Sequence, residues 1–176
     1  MSLIELLFAM LILATGLGGL SVLFIFASET NNKNSKATSS TMLAQQVLEQ
    51  ISAQHPDSTQ VINLTDCAGN QWAVKTVGDV APAGVGAQIV TAVSDPYYGG
   101  LDPAQAYGAI PAGYAMQYTD CAAGGRQTVY DVRWNIINVD PYTRLITVSA
   151  RQISPSNQLG GRLFFLPATL RGIGGM

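Results

Sequence analysis

At 176 residues the chain has room for one globular domain and an accessory element. Charged side chains make up 11% of it, against about 25% in an average soluble domain, and the formal net charge is -2 with a single histidine. That balance offers no basic patch that argues for nucleic acid and no acidic run that suggests a disordered tail, and it suits a surface that packs against neighbours.

From Met1 to Ser28 the only charged side chain is Glu5. At about 1.5 Å per residue this run extends roughly 40 Å as a helix, enough to cross a hydrocarbon core of about 30 Å. A secretory signal peptide opens with Lys or Arg and carries a shorter apolar stretch, and this run has neither feature. A carboxylate inside an apolar run costs several kcal/mol unless it is paired or lies near an interface. The first basic side chain is Lys33, so with Met1 as the mature terminus its own α-amine is the nearest positive group in sequence. Glu5 stands about 6 Å along the helix axis from residue 1, a poor position for a bond to its own amine. A neighbouring copy shifted along the axis presents its amine better. Apolar helices staggered in this way bury their stripes on one another and satisfy their charges pairwise.

Met1-Ser2-Leu3-Ile4-Glu5-Leu6-Leu7 followed by an apolar run resembles the mature N-terminus of type IV pilins and the related pseudopilins, in which Glu at the fifth position is the hallmark. The stretch ATGLGGLSVLF also resembles the PilV-like minor pilins. The resemblance implies a precursor with a short basic leader, removed by a prepilin peptidase that then methylates the new amine. Met1 therefore reads as a processed terminus, although Phe is the commonest first residue in the family. It also implies that residues 29–176 lie outside the cytoplasm, whereas Lys33 and Lys36 read by the positive-inside rule alone place that end inside. The implied function is that of a filament subunit, held in the inner membrane before assembly and then part of an extracellular pilus. Its partners are the assembly machinery and copies of itself in a helical homopolymer. Met1 and Glu5 form the assembly pair, and Leu3, Ile4, Leu6, Leu7, Met10, Leu11, Leu13 and Leu17 supply the filament-core contacts. Gly16, Gly18 and Gly19 weaken a helix by about 1 kcal/mol each relative to Ala. They either let the helix melt on assembly, as many pilins do beside a Pro where this chain has Val22, or form a small-residue face for close helix packing.

After a polar stretch, Leu43, Val47, Leu48 and Ile51 make one helical stripe that predicts an amphipathic helix over 29–54, ended by Pro56. Residues 55–176 then form a β-sheet head, giving an α+β fold with a long N-terminal helix packed on an antiparallel sheet. Tyr130, Val132, Trp134 and Ile136 alternate with Asp131, Arg133 and Asn135, which predicts a strand with one buried face. Asp140-Pro141-Tyr142-Thr143 reads as a turn, and the alternation resumes from Leu145 to Ile153. Weaker strands are expected at 71–77, 115–118 and 161–166, while 88–93 fits a strand, a helix or a loop. The Gly-, Ala-, Pro- and Tyr-rich segment 78–113 reads as a long exposed loop, and glycine pairs at 99–100, 124–125 and 160–161 read as turns. Tyr97, Tyr98, Tyr107 and Tyr114 either contact ligands or pack this loop on the sheet. Cys67 and Cys121 bridge in an oxidising compartment or remain two buried thiols.

Nothing in the chain composes an enzyme. There is no G-x-S-x-G elbow beside His55, and no phosphate-cradling glycine loop lies between a strand and a helix. Asp57, Asp66, Asp79, Asp95, Asp102 and Asp120 are scattered without an EF-hand spacing, so neither a metal nor a cofactor is expected. Two other readings compete with a pilin. One is a type II secretion pseudopilin, and the other is a monomeric binding domain tethered by its helix, in which Glu5 has no purpose.

Overall fold

The computed structural model describes residues 3–121, 127–153 and 168–175. It has a long N-terminal helix and a mixed, mainly antiparallel β-sheet head, an α+β fold. The chain divides into two compact units, Met1–Lys36 and Ala37–Met176.

The first unit is the N-terminal part of helix α1, which runs Leu3–Ser52. Residues 3–35 are all exposed, and they are apolar on every side of the helix as far as Phe26. The hydroxyls within this stretch bond back to their own helix. Thr15 Oγ1 donates to Leu11 O at 3.0 Å, Ser21 Oγ to Leu17 O at 2.9 Å and Thr30 Oγ1 to Phe26 O at 2.9 Å. Such i−4 bonds let polar side chains sit in an apolar helix with no outside partner. The helix turns polar at Glu29, whose carboxylate meets Lys33 Nζ at 2.8 Å one turn on.

In the second unit, α1 contributes Ser40, Leu43, Ala44, Val47 and Ile51 to the core, the stripe that the sequence spacing predicts. A two-stranded ribbon follows, β1 (Val61–Thr65) and β2 (Gln71–Lys75), paired antiparallel. The main sheet is organised around the 14-residue strand β6 (Gln127–Asp140). One edge of β6 pairs along its length with β7 (Thr143–Gln152), which in turn pairs with β8 (Ala168–Gly175). The other edge is shared by three shorter segments. β5 (Ala115–Cys121) covers Gln127 to Arg133, β4 (Val85–Gly86) covers Asn135 and Ile136, and β3 (Asp79–Val80) covers Ile137 and Asn138. Only β3 runs parallel.

The hairpin β6–β7 forms where the alternation predicts it, and Val132, Trp134, Ile136, Ile146, Val148 and Ala150 are fully buried on its core face. The opposite face differs from expectation. Asp131, Arg133 and Asn135 are buried too, at 4%, 3% and 2% exposure, because residues 78–113 are not an exposed loop there but a cover laid over β6. Arg133 Nη1 donates to Asp102 O at 2.9 Å and Gln105 O at 3.0 Å, and Asn135 Nδ2 donates to Ala87 O at 2.9 Å and Ala83 O at 3.2 Å. Asp131 accepts from Arg133 and from the cross-strand Arg151, at 3.1 Å for the latter. The polar set of the alternation thus fastens a covering segment instead of facing water.

Other expectations need adjustment. The helix ends at Ser52, and the 71–77 and 115–118 strands run 71–75 and 115–121. Segment 88–93 carries only a bridge between Ile89 and Leu101. The expected strand at 161–166 and the glycine pairs 124–125 and 160–161 lie outside the described residues. Strands β1 and β8 were not anticipated. β8 fits against the helix because its inward positions carry glycines: a Cβ on Gly172 would lie 3.0 Å from Leu48 Cδ1.

Arg144, on β7, is completely buried. Its Nη1 donates to Thr76 O at 2.9 Å, and its Nη2 donates to Ile51 O and Gln54 O at the C-terminal end of α1. Replacing Arg144 with Met should remove the donor to Thr76 O and Gln54 O, leave Ile51 O only its bond from Gln54 N, and lower stability by about 3 kcal/mol, given roughly 1–3 kcal/mol for each buried unsatisfied group. Urea denaturation of the detergent-solubilised chain measures this, with Arg144→Lys recovering only part of the loss.

Candidate functional site

The N-terminal helix carries the residues singled out for assembly. Glu5 lies in the first turn of α1, where a carboxylate is favoured by the helix dipole, and it is exposed. Leu3, Ile4, Leu6, Leu7, Met10, Leu11, Leu13 and Leu17 are all exposed as well, from 48% at Leu6 to 79% at Leu3. Met1 lies outside the described residues. Gly16, Gly18 and Gly19 are helical here, and a Cβ at any of them would meet nothing within 4 Å. This part of the helix is long and apolar enough to cross a membrane. An apolar surface that encircles a helix is stable only in lipid or among other apolar helices.

The head brings Cys67 and Cys121 together in a disulfide, with Cα atoms 5.9 Å apart, which settles the two open readings of that pair. The bridge ties the β1–β2 turn to the end of β5. Beside it Asp66 organises the same turn: its Oδ1 accepts from Ala68 N at 3.0 Å and Asn70 N at 2.8 Å. Its Oδ2 accepts from Asn70 Nδ2 at 2.9 Å, Trp72 Nε1 at 3.2 Å and Thr119 N at 3.3 Å. Burial alone would raise the Asp66 pKa, but these bonds, those from Asn70 foremost, hold it well below the usual carboxylate range. Asp66 is therefore a structural hub.

The remaining candidates are dispersed. His55 is exposed, and its Nδ1 accepts a bond from Asp57 N at 3.3 Å. Among the described residues no three His, Cys, Asp or Glu side chains cluster in a way that would hold a metal. Tyr114 is buried against Trp134, with ring centres 6.3 Å apart, and donates to Val77 O at 2.7 Å. Burial, and then the charge of Asp79, push its pKa up, so the hydroxyl keeps the proton it donates. Tyr107 donates to Ala115 O at 3.2 Å. These two tyrosines pack the cover onto the sheet, while Tyr97 is half-buried and Tyr98 is exposed.

Among the described residues the head has two concavities to consider. A groove of about 420 Å³ lies between Met42, Gln46 and Glu49 of α1 and Tyr118 and Asp120 of β5. A second, of about 450 Å³, lies between the turn 96–100 and Thr169 and Arg171 of β8. The second escaped the sequence reading because its two halves are remote in sequence, although the Pro-Tyr-Tyr-Gly-Gly run was a signal of an exposed aromatic turn. Comparison of the chain with known protein families, curated proteins and solved structures finds no match.

Two consequences are measurable. Because the folded-state pKa of Asp66 is lowered, its contribution to stability is complete above the unfolded value of about 4 and is lost as pH falls below it. Asp66→Asn should lower the melting temperature at pH 7 and flatten its decline between about pH 4 and pH 2, as followed by circular dichroism. Reducing the disulfide, which spans a sequence separation of 54, should cost about 4 kcal/mol of stability. Paired urea titrations with and without dithiothreitol read that difference.

Proposed function

We propose that this chain is a structural subunit of a type IV pilus or a related extracellular filament. The observation that carries the reading is Glu5, a lone carboxylate on an exposed helix that is apolar on all sides from Leu3 to Phe26. A membrane anchor is favoured by apolar length alone and gains nothing from an ionisable group in its span. A bundle of identical, axially staggered helices gives that group a role, because each Glu5 meets the N-terminal amine of a neighbour while the leucines around it pack against like surfaces.

On this reading the chain rests in the inner membrane before assembly and its head lies outside the cytoplasm. Prepilin peptidase generates and methylates the terminal amine. The disulfide of the head supports an oxidising location for that part of the chain. The low charge content leaves the head surface suited to close tiling by its neighbours.

Glu5→Ala should insert into membranes at the wild-type level and reduce filament yield at least tenfold. The readouts are membrane fractionation and electron microscopy of material sheared from producing cells, with mass analysis of Met1 for methylation. Wild-type filament yield from the variant would remove the charge-pairing argument and leave a helix that serves only as a tether.

A further inference from the structure

Over β6 the outer face of the sheet is closed by residues 78–113, but at β8 the cover ends in the pocket of about 450 Å³ between the turn 96–100 and the Thr169–Arg171 segment. We propose that this pocket binds a saccharide bearing a carboxylate, such as a sialic or uronic acid. Its size falls within the roughly 300–1,000 Å³ of small-molecule sites.

The turn that forms one wall is firmly built. Asp95 Oδ1 accepts from Tyr97 N at 2.8 Å, and Asp95 O accepts from Tyr98 N at 3.0 Å. Gly100 N donates to Tyr97 O at 2.8 Å, and the pair Gly99 N to Val90 O and Val90 N to Gly100 O closes the base of the turn at 2.9 Å each. Gly99 has φ +76°, and a Cβ on Gly100 would lie 3.1 Å from Tyr97 O, so the backbone disfavours side chains at both positions. Two aromatic rings are thus presented without the entropic cost of ordering a loose loop, and Tyr98 remains 58% exposed.

The other wall supplies charge. Thr169 and Arg171 are two apart on β8 and share its outer face. Arg133 and Arg151 pair with Asp131, and Arg144 is buried. Arg171 forms no ion pair among the described residues; its Nη2 donates to Gly99 O, which fixes the guanidinium against the turn. A guanidinium has five N–H donors, so most of its capacity is left for a ligand.

This donor set selects the ligand class. One planar cation matches one carboxylate, which it binds with paired hydrogen bonds, whereas a polyphosphate or nucleic acid needs several cations. Tyrosine rings offer apolar faces to the C–H side of a pyranose while their hydroxyls remain available for polar contacts. The Thr169 hydroxyl is held to Ser149 Oγ only at 3.5 Å and can turn to a sugar hydroxyl.

Isothermal titration of the full chain in detergent micelles with 3′-sialyllactose and with digalacturonate tests the proposal, with lactose and a carboxylate-rich peptide as controls. At least one acidic sugar should bind tenfold or more tighter than lactose. Arg171→Gln should remove that preference, and Tyr98→Ala, at an exposed position, should weaken binding at least fivefold with the melting temperature unchanged. No binding of either acidic sugar, equal binding of lactose, binding of the peptide alone, or full affinity in both variants would overturn it.

Discussion

The guanidinium of Arg144 is out of contact with water and, among the described residues, has no carboxylate to neutralise it. Burial depresses its pKa, and its Nε has no hydrogen-bond partner. What balances the charge is the end of the long helix. The last turn of α1 contains no basic residue, and β7 supplies a donor to Ile51 O in that turn and to Gln54 O just after it. The same side chain reaches Thr76 just beyond β2. Helix, ribbon and main sheet therefore meet at one cation. The neighbouring strand leaves it room: a Cβ on Gly174 of β8 would lie 3.1 Å from Arg144 Nε.

Around that point the ribbon is tied down by contacts that use its backbone. Trp134 Nε1 donates to Lys75 O at 3.1 Å, and Lys75 N donates to Gly113 O at 2.9 Å. The Cys67–Cys121 bridge and Asp66 fasten its far end to β5. A two-stranded ribbon is marginal by itself. Here its buried apolar residues, Leu64 and Val74, join the common core of the head.

The parts of this arrangement that were legible in the sequence are those set by local period. The stripe Leu43, Val47, Ile51 and the alternation of the β6–β7 hairpin depend only on which side of an element meets the core, and both formed as read. Asp131, Arg133 and Asn135 misled because their chemistry predicts water, whereas a remote segment provides partners for Arg133 and Asn135, and Asp131 is paired with Arg133 and the cross-strand Arg151. β8 was missed since its inward glycines remove the apolar signal that marks a strand, leaving Ile173 exposed on the other side. β3 and β4, at two residues each, have no period to read. Of the candidate residues, the cysteines were placed correctly, and Glu5 stood out because its surroundings are uniformly apolar. Arg144 and Arg171 gave no such signal, since each acquires its meaning from residues far away in the chain.

The way the 78–113 cover is attached has a further result. Arg133 and Asn135 grip it through the main-chain oxygens of Ala83, Ala87, Asp102 and Gln105, groups that every amino acid possesses. Apart from glycines such as Gly84 and Gly86, held at positive φ where a Cβ would strike β6, those fastenings place little demand on which side chains the cover carries. The hydrogen-bonded part of the grip is encoded in the strand, while the segment adds Ala87, Leu101 and Ile110 to the core. Substitutions at the outward side chains of this segment can therefore accumulate while the scaffold beneath stays the same.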